Sequence, residues 1–321
     1  MIGLVEETYV MTGDEDTTQQ TQLRKGGKRR RNFDNLFSTV LPRTANAIDS
    51  NSMLADLPNS TKEQLKSYIL NRSPGSSEIY DALFWIATNY PKQLRTKELC
   101  ESIEAVTLIG AKLNHLLASS PNTDRKKNMT IYDLACGHGL VGILLAYRFP
   151  DIKVVCIDKE RRQCWNTYIE AFERHGEKSK DNNTVMSNLE FREGDIMNKF
   201  TPTLSPNTSC FQPKIGDYLI CIHGCNDISP FVIQTAIEYK CGYAVMPCCL
   251  RENMLGVSSS SSNHNWGMDD TSRYSLQVGY LAGKYGCEKV VSVSKYITNR
   301  YLIIIGDWYD KKIENEETVN R

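Results

Sequence analysis

The sequence predicts an α/β protein with a doubly wound, mainly parallel sheet, a C-terminal antiparallel hairpin and a preceding helical segment. Three observations support this prediction. From residue 129 onward, short runs rich in Val, Ile and Tyr alternate with amphipathic helical segments, which is the pattern of βαβ units. The first of these runs leads into a glycine-rich turn. The last two β-rich runs have no helix between them, so they should pair as a hairpin.

Composition excludes several classes of protein. The chain has 321 residues, of which 40% are hydrophobic and 24% charged, with a formal net charge of +0. A global basic field for nucleic acid is therefore absent. No apolar run is long enough to span a bilayer, and the acidic start does not resemble a secretory signal. With no such signal, the 11 cysteines are expected to be reduced thiols in the cytoplasm or nucleus.

The chain divides into four predicted regions. Residues 1–55 are polar and aperiodic, which predicts a disordered tail. Its basic run at 24–31 fits a nuclear localisation signal, a nucleic-acid-binding arm or a merely solvated stretch. Residues 56–94 are predicted to form a helical segment, 95–308 the α/β domain, and 309–321 a charged C-terminal tail.

The helical segment precedes the α/β domain and leads into its first helix. Ser60 and Glu63 form a capping-box pattern before an apolar periodicity, and Pro91 ends a second helical run that begins at Ser77. The longest helix is predicted over 96–118. Its apolar residues recur at spacings of three and four, at Leu99, Ile103, Val106, Ile109, Leu113 and Leu116.

The α/β domain has five predicted strands, four predicted helices and the closing hairpin. Strands are predicted at 129–136, 152–158, 188–195, 216–224 and 242–248, helices at 139–149, 161–176, 229–239 and 274–286, and the final β-rich runs at 287–296 and 299–308, joined by a short turn. The low-complexity stretch Ser258–Asp270 follows the fifth strand, so it should lie over the carboxyl edge, where such sheets bind ligands. It is either a mobile lid or a plain insertion.

The glycine-rich turn after the first strand is the sharpest local signal. Gly137 and Gly139 allow a sharp turn and a close approach of the backbone to a ligand. Free N–H groups at the following helix start favour an electron-rich partner. Asp158 ends the second strand, where a carboxylate accepts hydrogen bonds from ribose hydroxyls.

The bare glycine pattern fits either a nicotinamide dinucleotide or S-adenosylmethionine. Three features favour the latter. Asp133 interrupts the first strand four residues before Gly137, whereas dinucleotide folds usually keep that stretch apolar. The turn also lies mid-chain behind a helical leader. Finally, the sheet closes with a hairpin and does not continue into a second nucleotide-binding half.

A family resemblance follows from three motifs in order. The stretch DLACGHGLVGILLA resembles motif I of the Rossmann-like class I S-adenosylmethionine-dependent methyltransferases. His223-Gly-Cys225 and Pro247-Cys248-Cys249 resemble the later H-x-C and P-C-C of one branch. That branch includes the tRNA acceptor-stem 2′-O-ribose methyltransferases and other methyltransferase-domain proteins. The resemblance covers about residues 100–306 and is far more specific for fold and cofactor than for substrate.

The resemblance implies roles for individual residues. Gly137 and Gly139 would contact the methionine part of S-adenosylmethionine, and Asp133 would help to hold its amino group. Asp158 would bind the ribose. Asp195 would reach the adenine, with Ile196 packed on the ring. The family's first motif I glycine is Ala135 here, a residue small enough to leave the turn intact.

The resemblance also places His223 in the methyl-transfer site, where it is the candidate general base, with Asn226 and Asp227 ranked lower. A purely structural histidine is the alternative. Cys248 is the candidate catalytic thiol, because cytosine-C5 methyltransferases use a cysteine at this chain position. His138 is expected to belong to the cofactor loop.

The cysteines around His223 admit other interpretations. Cys221, His223 and Cys225 would share one face of a strand, close to Cys248 and Cys249. A zinc site is one alternative, although ligands on a straight strand lie about 7 Å apart, too far for one ion. Packing as small apolar residues is the simplest interpretation, so no metal is predicted.

The predicted function is S-adenosylmethionine-dependent methyl transfer to an undetermined acceptor, RNA or a small molecule. A nicotinamide-dependent oxidoreductase and a non-catalytic adaptor with a methyltransferase fold are the alternatives. The acceptor-stem enzymes typically carry extra Cys/His zinc elements near the N-terminus, and residues 1–99 contain no cysteine. That absence weakens a direct tRNA assignment. No membrane partner is expected, and the sequence leaves the oligomeric state open.

Overall fold

The computed structural model describes six stretches of the chain: 33–72, 77–119, 128–175, 186–198, 211–249 and 269–308. The basic run at 24–31, the C-terminal tail 309–321 and most of the low-complexity stretch 258–270 lie outside the described residues. Within those six stretches, no helix combines the length and the apolar character needed to cross a bilayer.

A seven-stranded sheet forms the centre of the molecule. Its strands are β3 (Thr130–Leu134), β4 (Lys153–Asp158), β5 (Leu189–Glu193), β6 (Tyr218–Gly224), β7 (Gly242–Pro247), β8 (Lys289–Ser292) and β9 (Leu302–Asp307), while β1 (Arg43–Thr44) and β2 (Ala47–Ile48) form a separate short ribbon. The sheet order is β5-β4-β3-β6-β7-β9-β8. Strands β3 to β7 pair in parallel, and β9 is antiparallel to both of its neighbours. The predicted doubly wound sheet with a closing hairpin is confirmed.

Helices cover both faces of the sheet. They are α1 (Asn59–Arg72), α2 (Ser77–Asn89), α3 (Thr96–Ser119), α4 (Leu140–Arg148), α5 (Gln163–His175), α6 (Ile228–Glu238) and α7 (Asp270–Lys284). Buried side chains from α1 to α5 form one core with the sheet, and those of α6 and α7 form a second core on the opposite face. The result is a three-layer α/β/α sandwich.

The hairpin connection differs from the predicted short turn. Residues 293–301 separate β8 from β9, and the ladder continues into this segment through the hydrogen bond from Val293 N to Tyr301 O, 2.8 Å long. Ile297 within the segment is fully buried. The connection therefore packs into the core. It also brings Thr298, the residue after Ile297, to the cavity described below.

Part of the predicted disordered tail is folded. The segment 33–55 contains a π-helical turn, Leu36–Val40, and the β1–β2 ribbon. Its apolar residues Phe37, Leu41 and Ile48 are almost completely buried. The prediction was wrong over this segment because a π-turn and two-residue strands leave no helical or strand period in the sequence. The same core includes Leu65, Leu83 and Leu99, so the helical segment 56–94 and the sheet share one hydrophobic core.

Candidate functional site

A cavity of about 630 Å³ opens at the carboxyl ends of β3 and β6. The sheet changes its winding direction between these two strands, since β4 and β5 follow β3 on one side and β7 follows β6 on the other. Ligands of open α/β sheets bind at such a switch point. The residues of the glycine turn line one wall, and those after β6 and β7 line the other.

The glycine turn is ordered by hydrogen bonds to the end of β4. Gly137 has φ +60° and donates its N–H to Asp158 Oδ2 at 2.7 Å. A Cβ on Gly137 would meet nothing within 4 Å, so this glycine is required by its backbone conformation and leaves open space in the cavity. Gly139 has φ +77°, and a Cβ there would lie 2.4 Å from the Trp165 ring. One glycine thus borders free space, while the other permits tight packing.

Ala135 occupies the turn with a left-handed backbone, φ +53°. A non-glycine residue in this region costs on the order of 1–2 kcal/mol. The expectation that alanine leaves the turn intact agrees with the geometry, since Ala135 lines the cavity and the turn is formed. The turn is nevertheless strained at this position.

Asp133 is a buried carboxyl group at the cavity floor. Its Oδ2 accepts a hydrogen bond of 2.9 Å from Gly142 N, and only 1% of the residue is exposed. Burial raises the pKa of Asp133 to about 7; the Gly142 hydrogen bond opposes this shift, and the nearby Asp158 adds to it. A cationic group placed in the cavity beside Asp133 would restore its charge.

The structure does not bring Asp195 and Ile196 to the cavity. Asp195 follows β5 and pairs with Lys159 at 3.1 Å. Ile196 is buried among core side chains on the α6–α7 face of the sheet. Neither residue is among those lining the cavity. Their assignment to the adenine therefore stays a prediction from the family resemblance.

His223 faces the glycine turn from the end of β6. The parallel pairing of β6 with β7 shifts between Ile222 and Gly224, and His223 has φ +64° within this bulge. Its Nε2 lies 3.1 Å from Oε2 of Glu101, a residue of α3 that is only 4% exposed. A buried carboxylate at this distance orients the imidazole and retains the proton on Nε2, which leaves the lone pair on Nδ1.

Glu101 is negatively charged near neutral pH. Burial acts to raise its pKa, but the hydrogen bond and charge of His223, together with Lys97 and Thr298, outweigh it and lower the pKa. Lys97 Nζ lies 3.9 Å from Glu101 Oε1. The sequence predicted no role for Glu101, although an acidic side chain within the apolar stretch of helix 96–118 is a signal of a functional residue.

His138 belongs to the glycine turn, as expected. Its Nδ1 accepts a hydrogen bond of 3.1 Å from Leu140 N at the start of α4, which satisfies one free N–H of that helix. Its Nε2 lies 3.8 Å from Glu98 Oε2. Burial lowers the pKa of His138, and the opposing charge of Glu98 only partly offsets this.

Three cysteines meet after β6 and β7. Sγ of Cys248 lies 2.9 Å from Sγ of Cys225 and 3.6 Å from Sγ of Cys249. Burial raises the pKa of Cys248 and of Cys225. Cys221 does not join them, because it is fully buried in the core under α6. The predicted common face of Cys221, His223 and Cys225 is therefore wrong, since the bulge at His223 breaks the strand's alternation.

Part of the chain that forms this cavity matches a known protein family. Residues 100–254 match the model of a family described as "Methyltransferase domain". This stretch is similar to the members of that family. It contains most of α3, the glycine turn, His223 and the three cysteines, which together form most of the cavity wall. The fold and the S-adenosylmethionine donor predicted from the sequence agree with this family.

A curated relative and several solved structures resemble the chain. A "Glutathione S-transferase C-terminal domain-containing protein" from Xenopus laevis is 28% identical over 139 residues, 43% of this chain. The match spans 19% of that relative's length. The chain also resembles a putative caffeoyl-CoA O-methyltransferase from Staphylococcus aureus, at a TM-score of 0.40 and 11% identity, over 78% of this chain and 100% of the other.

Another similar structure is the S-adenosylhomocysteine-bound methyltransferase of Podospora anserina, at a TM-score of 0.37 and 13% identity, over 78% of this chain and 97% of the other.

Proposed function

We propose that the protein transfers a methyl group from S-adenosylmethionine to an acceptor that binds beside His223. One observation carries this proposal: a single cavity in a methyltransferase domain has the glycine turn with Asp158 on one wall and the His223–Glu101 pair on the other. A donor and an acceptor bound to opposite walls would meet within this space, and positioning of this kind supplies much of the rate of a transfer reaction.

The glycine wall, residues 133–139 with Asp158, fits the adenosyl donor. The space beside Gly137 leaves room for a ligand to approach the backbone, and Gly137 is held by Asp158. Each oxygen of Asp158 accepts one backbone hydrogen bond, from Gly137 N and from Lys159 N, which leaves lone pairs for the two ribose hydroxyls. Asp133, buried beneath the turn, would pair with the ammonium group of the methionine part.

The histidine wall, which consists of Glu101, His223 and the cysteines Cys225, Cys248 and Cys249, supplies proton removal. S-adenosylmethionine brings a methyl group on a sulfonium, which is already activated for transfer. His223 accepts the proton of the acceptor's hydroxyl or amine at Nδ1, while Glu101 holds Nε2–H and stabilises the resulting imidazolium. Glu101 is thus a positioning residue. The raised pKa of Cys248 weighs against a free thiolate nucleophile at that position, so we favour His223 over Cys248 as the catalytic group.

The acceptor class is part of the proposal. RNA is suggested by the family branch and by the basic run at 24–31, and a small molecule fits a cavity of about 630 Å³. A cytoplasmic or nuclear location is proposed from the same sequence features. Incubating the full chain with methyl-labelled donor and cell extract, and then separating RNA, protein and small molecules, identifies the labelled class.

Donor binding tests the proposal independently of the acceptor. Isothermal titration with S-adenosylhomocysteine is expected to show one site per chain, whereas NADPH is expected to show none. The reverse result would contradict the proposal and favour the oxidoreductase. Donor binding with no labelled product in any fraction of the extract would instead support a non-catalytic adaptor.

A further inference from the structure

We propose that Cys225, Cys248 and Cys249, the thiol cluster, bind one Zn²⁺ ion whose fourth coordination position faces the cavity. The ligand atoms of these three residues all lie within 4.8 Å of one another. Among the residues that the structure describes, no other histidine, cysteine or acidic residue joins this group. The proposal does not depend on methyl transfer, because it concerns a metal and its protein ligands.

The spacing of the sulfur atoms suits a zinc ion. Zinc–thiolate bonds of about 2.3 Å in a tetrahedron place the sulfur atoms about 3.8 Å apart. The Cys248–Cys249 Sγ–Sγ distance of 3.6 Å lies close to this value. The Cys225–Cys248 distance of 2.9 Å is shorter, so zinc binding requires a side-chain rotation that separates these two sulfur atoms. Thiolates select zinc, copper(I) or iron–sulfur clusters over hard cations, and zinc is the member that takes isolated thiolates without redox chemistry.

The backbone holds the three ligands together by bonds that do not involve the sulfur atoms. The chain leaves β6 through His223 and Asn226, both with positive φ, and this turn carries Cys225 toward β7. Asn226 N donates to Cys249 O at 2.6 Å, which fixes the loop after β6 to the end of β7. On a straight strand, alternate ligands would lie too far apart for one ion. Because the chain turns here, the three cysteines lie close together.

Zinc binding replaces the protons of the three thiols. A bound divalent ion deprotonates its thiol ligands. On binding, three S–H bonds break, three Zn–S bonds form and three protons pass to solvent, which leaves a centre with net charge −1.

The open fourth position connects the metal to the cavity. All three cysteines line the cavity together with His223. A zinc ion with three protein ligands and one open position binds water or a substrate atom there, in contrast to a closed structural site with four protein ligands. The geometry therefore points to a zinc ion on the histidine wall that can take a donor atom of a cavity ligand, such as a thiol, as its fourth ligand.

Metal content of the full chain tests the site directly. The reduced protein is stripped with a chelator, reloaded with zinc, desalted and measured by mass spectrometry for metals. About one Zn²⁺ per chain is expected. Cys225→Ser, Cys248→Ser and Cys249→Ser should each weaken zinc binding more than about 100-fold, because even the outer partners of metal ligands contribute 10–100-fold. Cys164→Ser is the matched control, a half-buried cysteine outside the cavity, and should retain the metal.

Two further readouts keep the test decisive if a variant does not fold. Cobalt(II) in the wild-type protein should show thiolate charge-transfer absorption, and added 2-mercaptoethanol should shift its visible bands by occupying the fourth position. Zinc should also slow alkylation of the three cluster cysteines but not of Cys164, as mapped by peptide mass spectrometry. Any one of four results would overturn the proposal. These are the absence of stoichiometric metal, a preference for copper or iron, zinc retained after all three substitutions, and a Cys225–Cys248 disulfide that persists in the reduced protein.

Discussion

The two walls of the cavity are built by different physical means. The glycine wall, residues 133–139 with Asp158, presents backbone N–H groups and two carboxylates to the cavity. The histidine wall combines Glu101 from α3, His223 at the end of β6, Cys225 after that strand, and Cys248 and Cys249 after β7. Here side chains distant in sequence meet at the sheet edge. A local turn fixes the first wall, whereas tertiary packing assembles the second, so substitutions in the two walls should affect different steps.

The largest effect is expected on the histidine wall. His223→Asn keeps a residue type that tolerates positive φ but removes the base. Methyl transfer should slow by about 100- to 10,000-fold, the range of general-base catalysis. The affinity for S-adenosylhomocysteine should stay within about twofold, because His223 does not form the donor site. Transfer rate is measured with labelled donor, and affinity by titration calorimetry.

His115→Asn provides the control for this substitution, since His115 is an exposed residue of α3 outside the cavity. It should leave both quantities unchanged. An equal loss of donor affinity and rate in the His223 variant would show that His223 belongs to donor binding, and the separation of the two walls would be wrong.

The next effect is expected on the glycine wall. Asp158→Asn retains an oxygen that can accept from Gly137 N but loses the charge offered to the ribose hydroxyls. Hydrogen bonds to a charged group contribute about 1.5–3 kcal/mol, so donor affinity should fall about 10- to 100-fold. Calorimetry with S-adenosylhomocysteine measures the change. Asp151→Asn, an exposed acid before β4, should bind as the wild type does. Unchanged affinity in the Asp158 variant would exclude this carboxylate from donor binding.

A dependence on pH should separate Asp133 from the exposed acids. Because the pKa of Asp133 is raised to about 7 in the folded chain, the folded state binds its proton more tightly than the unfolded state does. Its contribution to stability is complete below the unfolded pKa, near 4, and is lost as the pH rises through 7. Relative to Asp133→Asn, the wild type should therefore lose a few kcal/mol of unfolding free energy between pH 4 and pH 8.

Urea denaturation at several pH values measures this difference, with Asp151→Asn as the control that should follow the wild type. Parallel curves for wild type and Asp133→Asn would contradict the raised pKa. S-adenosylhomocysteine should also release a proton when it binds near pH 6, because its ammonium group favours the ionised carboxyl. Calorimetry in buffers of different ionisation enthalpy detects that release.

The smallest effect is expected from the strained alanine of the glycine wall. Ala135→Gly removes the cost of φ +53°, partly offset by the greater freedom of glycine in the unfolded chain. A gain of about 0.5–1 kcal/mol is expected, which corresponds to a rise in Tm of roughly 1–4 °C. Ala111→Gly, on the exposed face of α3, should instead destabilise by about 1 kcal/mol. Thermal melting of both variants gives the comparison; a fall in Tm for Ala135→Gly would mean that the turn is not strained.

Local sequence features predict the alternation of strands and helices, the closing hairpin and the glycine wall. These features depend on local causes: a periodicity of apolar residues, a backbone that only glycine adopts easily, and an acid at a strand end. The glycine wall can be predicted from the sequence because Asp133, Gly137 and Gly139 lie within one short stretch, and Asp158 ends the next strand.

The remaining features depend on tertiary packing. Glu101 reaches His223 across 122 residues of sequence, the folded segment 33–55 has no period to detect, and Cys225 turns toward Cys248 only because β6 bulges before it. Each of these depends on which elements pack together and on one irregular backbone position. Local propensity does not specify such contacts, because they are fixed by the free energy of packing the whole core.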